Sequence, residues 1–204
     1  MVVFIMPTDV YLAVPADSPI KSYADVKGKR IGMGGPGSTP ANTAHFLFEQ
    51  YGVTKKDFKP YYYTYKETVE GIQDGSLDGG IIAGGYPIAA YNELTAQRNM
   101  RIVPVDETML KKILADHPYY YRTVVKAKSY KGLEQDTTIM GFTTALFTHA
   151  DVNNDYVYNF LKNLFDHREE YYAIHVAAKV LTPESALRGL SLPLHPAAEK
   201  YFKE

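Results

Sequence analysis

Hydrophobic positions along this chain follow two patterns, short apolar runs typical of β-strands and three- to four-residue spacings typical of helices. The apolar runs predict strands at residues 10–14, 29–33, 59–65, 78–83, 101–105, 119–125 and 137–148. The helical spacings predict helices at residues 40–51, 67–74, 87–95, 107–116, 156–165, 168–176, 183–187 and 196–203. Because strands and helices alternate, the pattern predicts an α/β fold with a mainly parallel sheet.

The composition narrows the functional class. The 204 residues are 46% hydrophobic and 22% charged, enough to bury a core without disulfides or a structural metal. The 22 basic and 23 acidic side chains leave a net charge of −1, so no nucleic-acid partner is expected. The absence of cysteine excludes zinc–thiolate sites, iron–sulfur clusters and thiol nucleophiles. The uncharged stretches 79–92 and 137–150 are both shorter than the roughly 20 residues of a membrane-spanning helix.

A glycine-rich loop between the second predicted strand and the first helix is the most distinctive local motif. Its spacing, Gly32-x-Gly34-x-x-Gly37, matches the dinucleotide fingerprint and predicts, as an alternative function, an NAD(P)-binding oxidoreductase. Two features oppose this interpretation. Pro36 removes an N–H from the loop, and the next strand ends in Tyr and Thr instead of the acidic residue that binds the ribose. A nucleoside-triphosphate loop is disfavoured because Ser38 stands where such a loop needs its lysine.

The same loop predicts a more general anion site. A glycine turn that leads into a helix exposes unpaired N–H groups and a partial positive charge of about +0.5. Ser38 and Thr39 add hydroxyl donors, so Gly37, Ser38 and Thr39 are candidate ligands of a carboxylate. The alternative is a plain strand–helix turn in which glycine provides the geometry and Ser38 or Thr39 caps the helix.

A second glycine turn, Gly84-Gly85-Tyr86-Pro87, follows the fourth predicted strand and leads into another helix. Ligands of α/β proteins gather beyond the carboxyl ends of the strands, so both turns are expected to face one cleft. Gly85 and Tyr86 are therefore candidate ligand-binding residues. The alternative is a left-handed turn with an exposed tyrosine.

Catalytic and metal motifs are missing from the sequence. The six histidines are scattered without a His-x-x-x-His pair, and G-x-S-x-G is absent. Asp74 and Asp78 flank a glycine turn and are expected to be solvated turn formers. We therefore expect a protein that is not an enzyme, needs no metal or cofactor, and acts as a monomer.

Several segments, in order along the chain, resemble the TAXI family of TRAP-transporter solute receptors. They are Lys27-Gly28-Lys29-Arg30-Ile31, Gly34-Gly35-Pro36-Gly37-Ser38, Asp74-Gly75-Ser76-Leu77-Asp78 and Ala83-Gly84-Gly85-Tyr86-Pro87. Between these and the chain end lie His117-Pro118-Tyr119-Tyr120 and Ser129-Tyr130-Lys131-Gly132. The closing segment Leu192-Pro193-Leu194-His195-Pro196-Ala197-Ala198-Glu199-Lys200-Tyr201 resembles the proline–histidine–proline end of that family.

The resemblance implies a type 2 periplasmic-binding-protein fold, with two α/β lobes around a cleft. It places residues 1–28 in the first lobe, 29–103 in the second lobe, and 104–204 in the return to the first lobe and the C-terminal helices. Family members carry a further segment before the position of Val10 and a signal peptide, so an N-terminally truncated receptor with an incomplete first lobe is expected.

The resemblance also implies a function. Such receptors capture a small anionic solute, glutamate or a dicarboxylate, outside the cytoplasm and deliver it to the membrane subunit of a TRAP transporter. The family turn continues Gly-Ser-Gly-Thr, whereas this chain has Gly37-Ser38-Thr39-Pro40. The threonine position is filled by Pro40, so Thr39 or Thr43 is expected to supply the missing hydroxyl contact, with Tyr86 against the body of the solute.

Overall fold

The computed structural model describes residues 3–85, 87–174, 176–187, 190 and 192–204. Its strands are β1 (Val3–Pro15), β2 (Arg30–Gly32), β3 (Lys59–Tyr61), β4 (Gly79–Gly84), β5 (Met100–Ile102), β6 (Tyr120–Val125) and β7 (Thr137–Leu146). Its helices are α1 (Thr39–Gln50), α2 (Tyr65–Gln73), α3 (Ala89–Gln97), α4 (Glu107–Asp116), α5 (Asn154–Asp166), α6 (Arg168–Ile174) and α7 (Pro196–Tyr201). Short 3₁₀ turns form at Tyr23–Val26 and Val176–Val180.

The strands form one seven-stranded sheet in the order β3-β2-β4-β1-β7-β6, with β5 paired to β1. Strand β2 runs parallel to β3 and β4, whereas β1 runs antiparallel to β4, β5 and β7, and β6 runs antiparallel to β7. The predicted α/β class is confirmed, and the mixed sheet agrees with the architecture that the resemblance implies. The prediction of a mainly parallel sheet was wrong, because most of the strand pairs are antiparallel. Helices α1 and α2 provide the crossovers that parallel strands need, but no helix separates β6 from β7.

Strand β1 joins the two halves of the sheet. Its first part pairs with β7 as far as Val10, and its later part pairs with β4 from Asp9 onward. Asp9 and Val10 therefore have partners on both sides, and Asp9 lies opposite both Gly84 and Gly141. The division into residues 1–28, 29–103 and 104–204 stays a prediction.

Alternation along β1 divides the core between the two faces of the sheet. Val10, Leu12 and Val14 pack on one face with α1 and α4, and Tyr11 and Ala13 pack on the other with α2 and α3. This is the period-2 pattern of a strand that is covered on both faces. Further along the chain, α5 and α7 form a separate apolar cluster around Leu161.

Polar caps account for the elements that agree best with prediction. Helix α4 has the predicted bounds because the Asp106 carboxylate accepts hydrogen bonds from Thr108 and Met109 N–H groups, each at 3.0 Å. The strand predicted at 59–65 ends at Tyr61 because Thr64 and Glu67 form a capping box that starts α2.

The prediction of a helix at 183–187 is wrong, since these residues form turns. Within the described residues, no helix is long and apolar enough to cross a membrane.

Candidate functional site

The order of the parallel strands reverses at β2 and β4. From β2 the chain passes through α1 to β3 on one side, and from β3 through α2 to β4 on the other side. Helix α1 packs on one face of the sheet, whereas α3, which follows β4, packs on the opposite face. The turns that follow the carboxyl ends of β2 and β4 therefore lead to opposite faces of the sheet. In an open α/β sheet, a ligand usually binds between two such turns. We call the turns at 33–39 and 84–88 together the switch-point edge.

The turn after β2 offers neutral hydrogen-bond donors. Gly37 has φ +70°, a left-handed conformation that favours glycine, and it precedes the N-cap of α1. The Ser38 hydroxyl accepts from the Ala41 N–H at 3.4 Å, and Pro40 has no N–H. No described residue accepts a hydrogen bond from the Thr39 N–H. An anion at this helix end would therefore meet the Thr39 N–H and the hydroxyls of Ser38 and Thr39, a smaller donor set than the sequence alone indicated.

Thr43 lies one turn further along α1 and is buried. Its side chain hydrogen-bonds the phenol of Tyr120 at the start of β6. Phe46, on the same helix, stacks on the Tyr120 ring with 5.2 Å between the centroids. Thr43 thus fastens α1 against β6, next to the donors at the start of the helix.

The turn after β4 forms the other side of the switch-point edge. Gly85 is half-buried and follows the last residue of β4. The Ile88 N–H at the start of α3 donates to the Tyr130 hydroxyl at 2.7 Å, and the Tyr65 hydroxyl donates to the Ala83 carbonyl at 3.0 Å. These two bonds fix the turn at both ends. Tyr86, the other residue predicted here, lies outside the described residues.

Asp9 was missed by the sequence analysis, although an aspartate inside an apolar strand is an unusual feature. Its side chain is 7% exposed, and Oδ1 is buried without a hydrogen-bond partner among the described residues. Burial raises the pKa of Asp9 from 3.8 to about 6, and the phenol of Tyr121 partly opposes this shift. Asp9 lies level with Gly84, so this carboxyl group is at the switch-point edge.

Tyrosine side chains cover the face of the sheet to which Asp9 belongs. Tyr11 and Tyr91 meet edge to face at 5.4 Å, and Tyr91 meets Tyr130 at 4.6 Å. The hydroxyls of Tyr11 and Tyr130 are 3.3 Å apart. The hydroxyl of Tyr91 is buried and, like Oδ1 of Asp9, has no partner among the described residues.

The other candidates have structural roles. Asp74 accepts a hydrogen bond from the Ser76 N–H at 2.8 Å, and Asp78 pairs with Arg30, which lowers the pKa of the Asp78 carboxyl. Both are turn or strand-end contacts. In a dinucleotide site, strand β3 would end in the acidic residue that binds the ribose. Here it ends at Tyr61 and is followed by Tyr62, so that acidic residue is not present. In the part of the chain that the structure describes, no three His, Asp or Glu side chains gather as a metal site.

Comparison with known proteins gives a family match and several structural likenesses. A model of the NMT1-like family matches residues 1–204. The periplasmic aliphatic sulphonate-binding protein SsuA from Escherichia coli has 18% identity and a TM-score of 0.49, over 98% of this chain and 55% of that protein. The alkanesulfonate-binding protein SsuA from Xanthomonas axonopodis pv. citri, bound to MOPS, has 17% identity and a TM-score of 0.47, over 98% of this chain and 58% of that one.

An ancestral arginine-binding protein bound to arginine has 14% identity and a TM-score of 0.43, over 86% of this chain and 59% of its own length. The chain thus spans little more than half the length of the solved proteins described here.

Proposed function

The chain belongs to the NMT1-like family, and we propose that it captures a small carboxylate, glutamate or a dicarboxylate, at the switch-point edge as part of a solute receptor. The observation that carries this proposal is the reversal of strand order at β2 and β4, with a glycine turn after each strand. The segments that resemble TAXI receptors support a receptor outside the cytoplasm, with the membrane subunit of a TRAP transporter as its partner.

Capture at this edge uses neutral donors. The solute carboxylate accepts from the Thr39 N–H and from the hydroxyls of Ser38 and Thr39, at the positive end of the α1 dipole. A hydrogen bond to a charged group contributes about 1.5–3 kcal/mol. Part of this gain offsets the freedom that the solute loses on association, so a few neutral donors hold the solute and still allow its release.

The remaining predicted residues have distinct roles in the proposal. Gly85 lets the second turn approach the solute closely, and Tyr86 contacts the body of the solute. Thr43 keeps α1 in place through Tyr120. Closure of the second lobe, residues 29–103, over the solute then excludes water and forms the surface that the transporter recognises.

Calorimetric titration tests the proposal. The ligands are glutamate, 2-oxoglutarate and C4-dicarboxylates, with NAD(P), an alkanesulfonate and arginine for comparison. We expect saturable binding of at least one carboxylate and none of NAD(P). Binding of NAD(P) alone would support the oxidoreductase instead, and binding of no carboxylate would contradict the proposal.

Variants of the α1 N-terminus locate the binding site. The double substitution Ser38→Ala with Thr39→Val removes both hydroxyls and should weaken carboxylate binding at least tenfold. Its control is Asn153→Ala, which removes the N-cap of α5, where the Asn153 side chain accepts from the Asp155 N–H at 2.8 Å. Both caps contribute about 1 kcal/mol to stability, but only the first variant should lose affinity. Equal affinity in the two variants would place the solute elsewhere.

A further inference from the structure

Asp9 lies in a row of residues that crosses the sheet on one face. Tyr121 on β6 pairs with Gly141 on β7, Gly141 pairs with Asp9 on β1, and Asp9 pairs with Gly84 on β4. Glycine on both sides leaves the carboxyl group without a flanking side chain on either neighbouring strand. The next residues outward, Pro7 and Thr8, are half-buried, and β4 ends at Gly84, so Asp9 lies level with the end of that strand.

A carboxylate in this position lacks the compensation that buried charges normally have. Buried ionised groups are usually paired with an opposite charge, because removal from water is costly. The groups that influence the pKa of Asp9 are the surrounding apolar core and the phenol of Tyr121, which hydrogen-bonds the carboxyl group; neither of them is a cation. Its Oδ1 has no partner among the described residues. A buried acceptor of this kind is a candidate for a ligand contact.

The surroundings favour a cationic partner. The rings of Tyr11 and Tyr91 pack fully buried on the same face, so this side of the carboxyl group is bordered by phenols and not by a protein cation. The Tyr91 hydroxyl, also buried and without a described partner, adds a second polar atom on this face. The carboxyl edge of the parallel strands holds the donors of Ser38 and Thr39 on one side of β4. It holds the acceptor of Asp9 on the other side.

We propose that Asp9 accepts a hydrogen bond from a primary ammonium group of the captured solute, so that the solute carries an amine as well as a carboxylate. This inference rests on the proposed function, because the carboxylate of the same molecule is held at the start of α1. The solute is then zwitterionic at this edge: its anionic end meets the helix dipole and its cationic end meets the buried carboxyl group.

Matched pairs of compounds isolate the ammonium group. L-glutamate and glutarate share both carboxylates and differ only in the amine, and taurine and ethanesulfonate form an equivalent sulfonate pair. We expect the wild-type chain to bind the amine-bearing member of at least one pair at least tenfold more tightly. Asp9→Asn should reduce that affinity tenfold or more and leave the amine-free member unchanged. Asp17→Asn, the same substitution at an exposed position, is the control.

The pH dependence provides a second readout. Two phenols interact with Asp9, those of Tyr11 and Tyr121, and the phenols of Tyr91 and Tyr130 contact Tyr11 on the same face; the ordinary pKa of a tyrosine is about 10. Asp9, with a pKa of about 6, is thus the group expected to titrate between pH 5.0 and 7.5. Affinity for the amine-bearing compound should rise about tenfold over this range, relative to its amine-free partner. The rise should be absent in Asp9→Asn.

Each outcome separates the two proposals. Tighter binding of the amine-bearing compound, lost in Asp9→Asn, supports the role of Asp9. Equal binding of both members of a pair, or equal loss of both in Asp9→Asn, overturns that role and leaves carboxylate capture standing. If no member of either pair binds, the role of Asp9 is overturned, and carboxylate capture is overturned with it only if 2-oxoglutarate and the C4-dicarboxylates also fail to bind.

Discussion

The ring of Tyr121 lies directly over Gly141, where an added Cβ would come within 2.7 Å of a ring carbon. The two residues are partners in the β6–β7 pairing. Any larger residue at 141 would push the tyrosine away from the sheet and from Asp9, on the far side of the glycine. The glycine is therefore needed for the close approach of a side chain and not for a turn.

Gly141→Ala should lower the free energy of unfolding by about 1–3 kcal/mol, because the added methyl group forces a ring and a strand apart. Urea denaturation measures the loss. Gly35→Ala is the matched control: this exposed glycine has nothing within 4 Å of an added Cβ, so its effect should stay within about 0.5 kcal/mol. Equal stability of the two variants would mean that the ring does not occupy this position.

Asp9→Asn should make the protein more stable at neutral pH. In the folded chain the pKa of Asp9 is about 6, against 3.8 ordinarily, so the folded state keeps a proton that the unfolded state has lost. Stability therefore falls as the pH rises through this window, and the cost reaches about 3 kcal/mol at pH 7. Asparagine has no charge to bury.

Denaturation at several pH values checks this prediction. Asp9→Asn should exceed wild type by up to about 3 kcal/mol at pH 7.5 and match it near pH 3.5. Asp17→Asn, at an exposed position, should show no such trend. A variant less stable than wild type at pH 7.5 would show that the carboxylate has a stabilising partner.

His195 should be a structural residue that joins α7 to the chain before α5. Its Nδ1 accepts from the Ala197 N–H at 3.2 Å, and its Nε2 donates to the Val152 carbonyl at 3.1 Å. His195→Ala loses both bonds and should lower the free energy of unfolding by about 2 kcal/mol. His195→Asn keeps a cap and should recover about half. His149→Ala, at an exposed histidine, should be neutral; an equal loss there would contradict this role.

Thr43→Val tests whether Thr43 acts on α1 or on the solute. Loss of the bond to Tyr120 should lower the free energy of unfolding by about 1 kcal/mol. Carboxylate affinity should change less than threefold, since the donors at Ser38 and Thr39 remain. Thr182→Val, at another hydroxyl engaged only in a local turn, is the control for binding. A tenfold loss of affinity in Thr43→Val alone would make Thr43 a direct ligand.

Local signals in the sequence were sufficient for the helix starts and the glycine turns. Asp106 and Ser38 both cap helices at the point where the helical spacing of apolar residues begins. Such caps can be predicted because a cap bonds only to residues two or three positions away. The apolar run at residues 10–14 likewise indicated a strand, which is part of β1. These are the features that short-range chemistry decides.

Pairing between distant segments was not predictable in the same way. The length of β1 depends on β7, whose residues are more than a hundred positions further along the chain. The environment of Asp9 arises only when Gly84, Gly141 and Tyr121 come together on one face. Local sequence patterns therefore indicated the donors near α1 but not the buried acceptor across the sheet.

A titration of the ¹⁵N-labelled chain with L-glutamate, followed by backbone amide chemical shifts, tests the central claim most directly. Saturable shifts that are largest at Gly37, Ser38, Thr39 and Gly85 are the result expected for capture at the switch-point edge. Saturable shifts confined to another part of the chain, such as α5, would contradict it. If L-glutamate gives no saturable shift, the titration is repeated with 2-oxoglutarate and C4-dicarboxylates, and no saturable shift with any of them would contradict it.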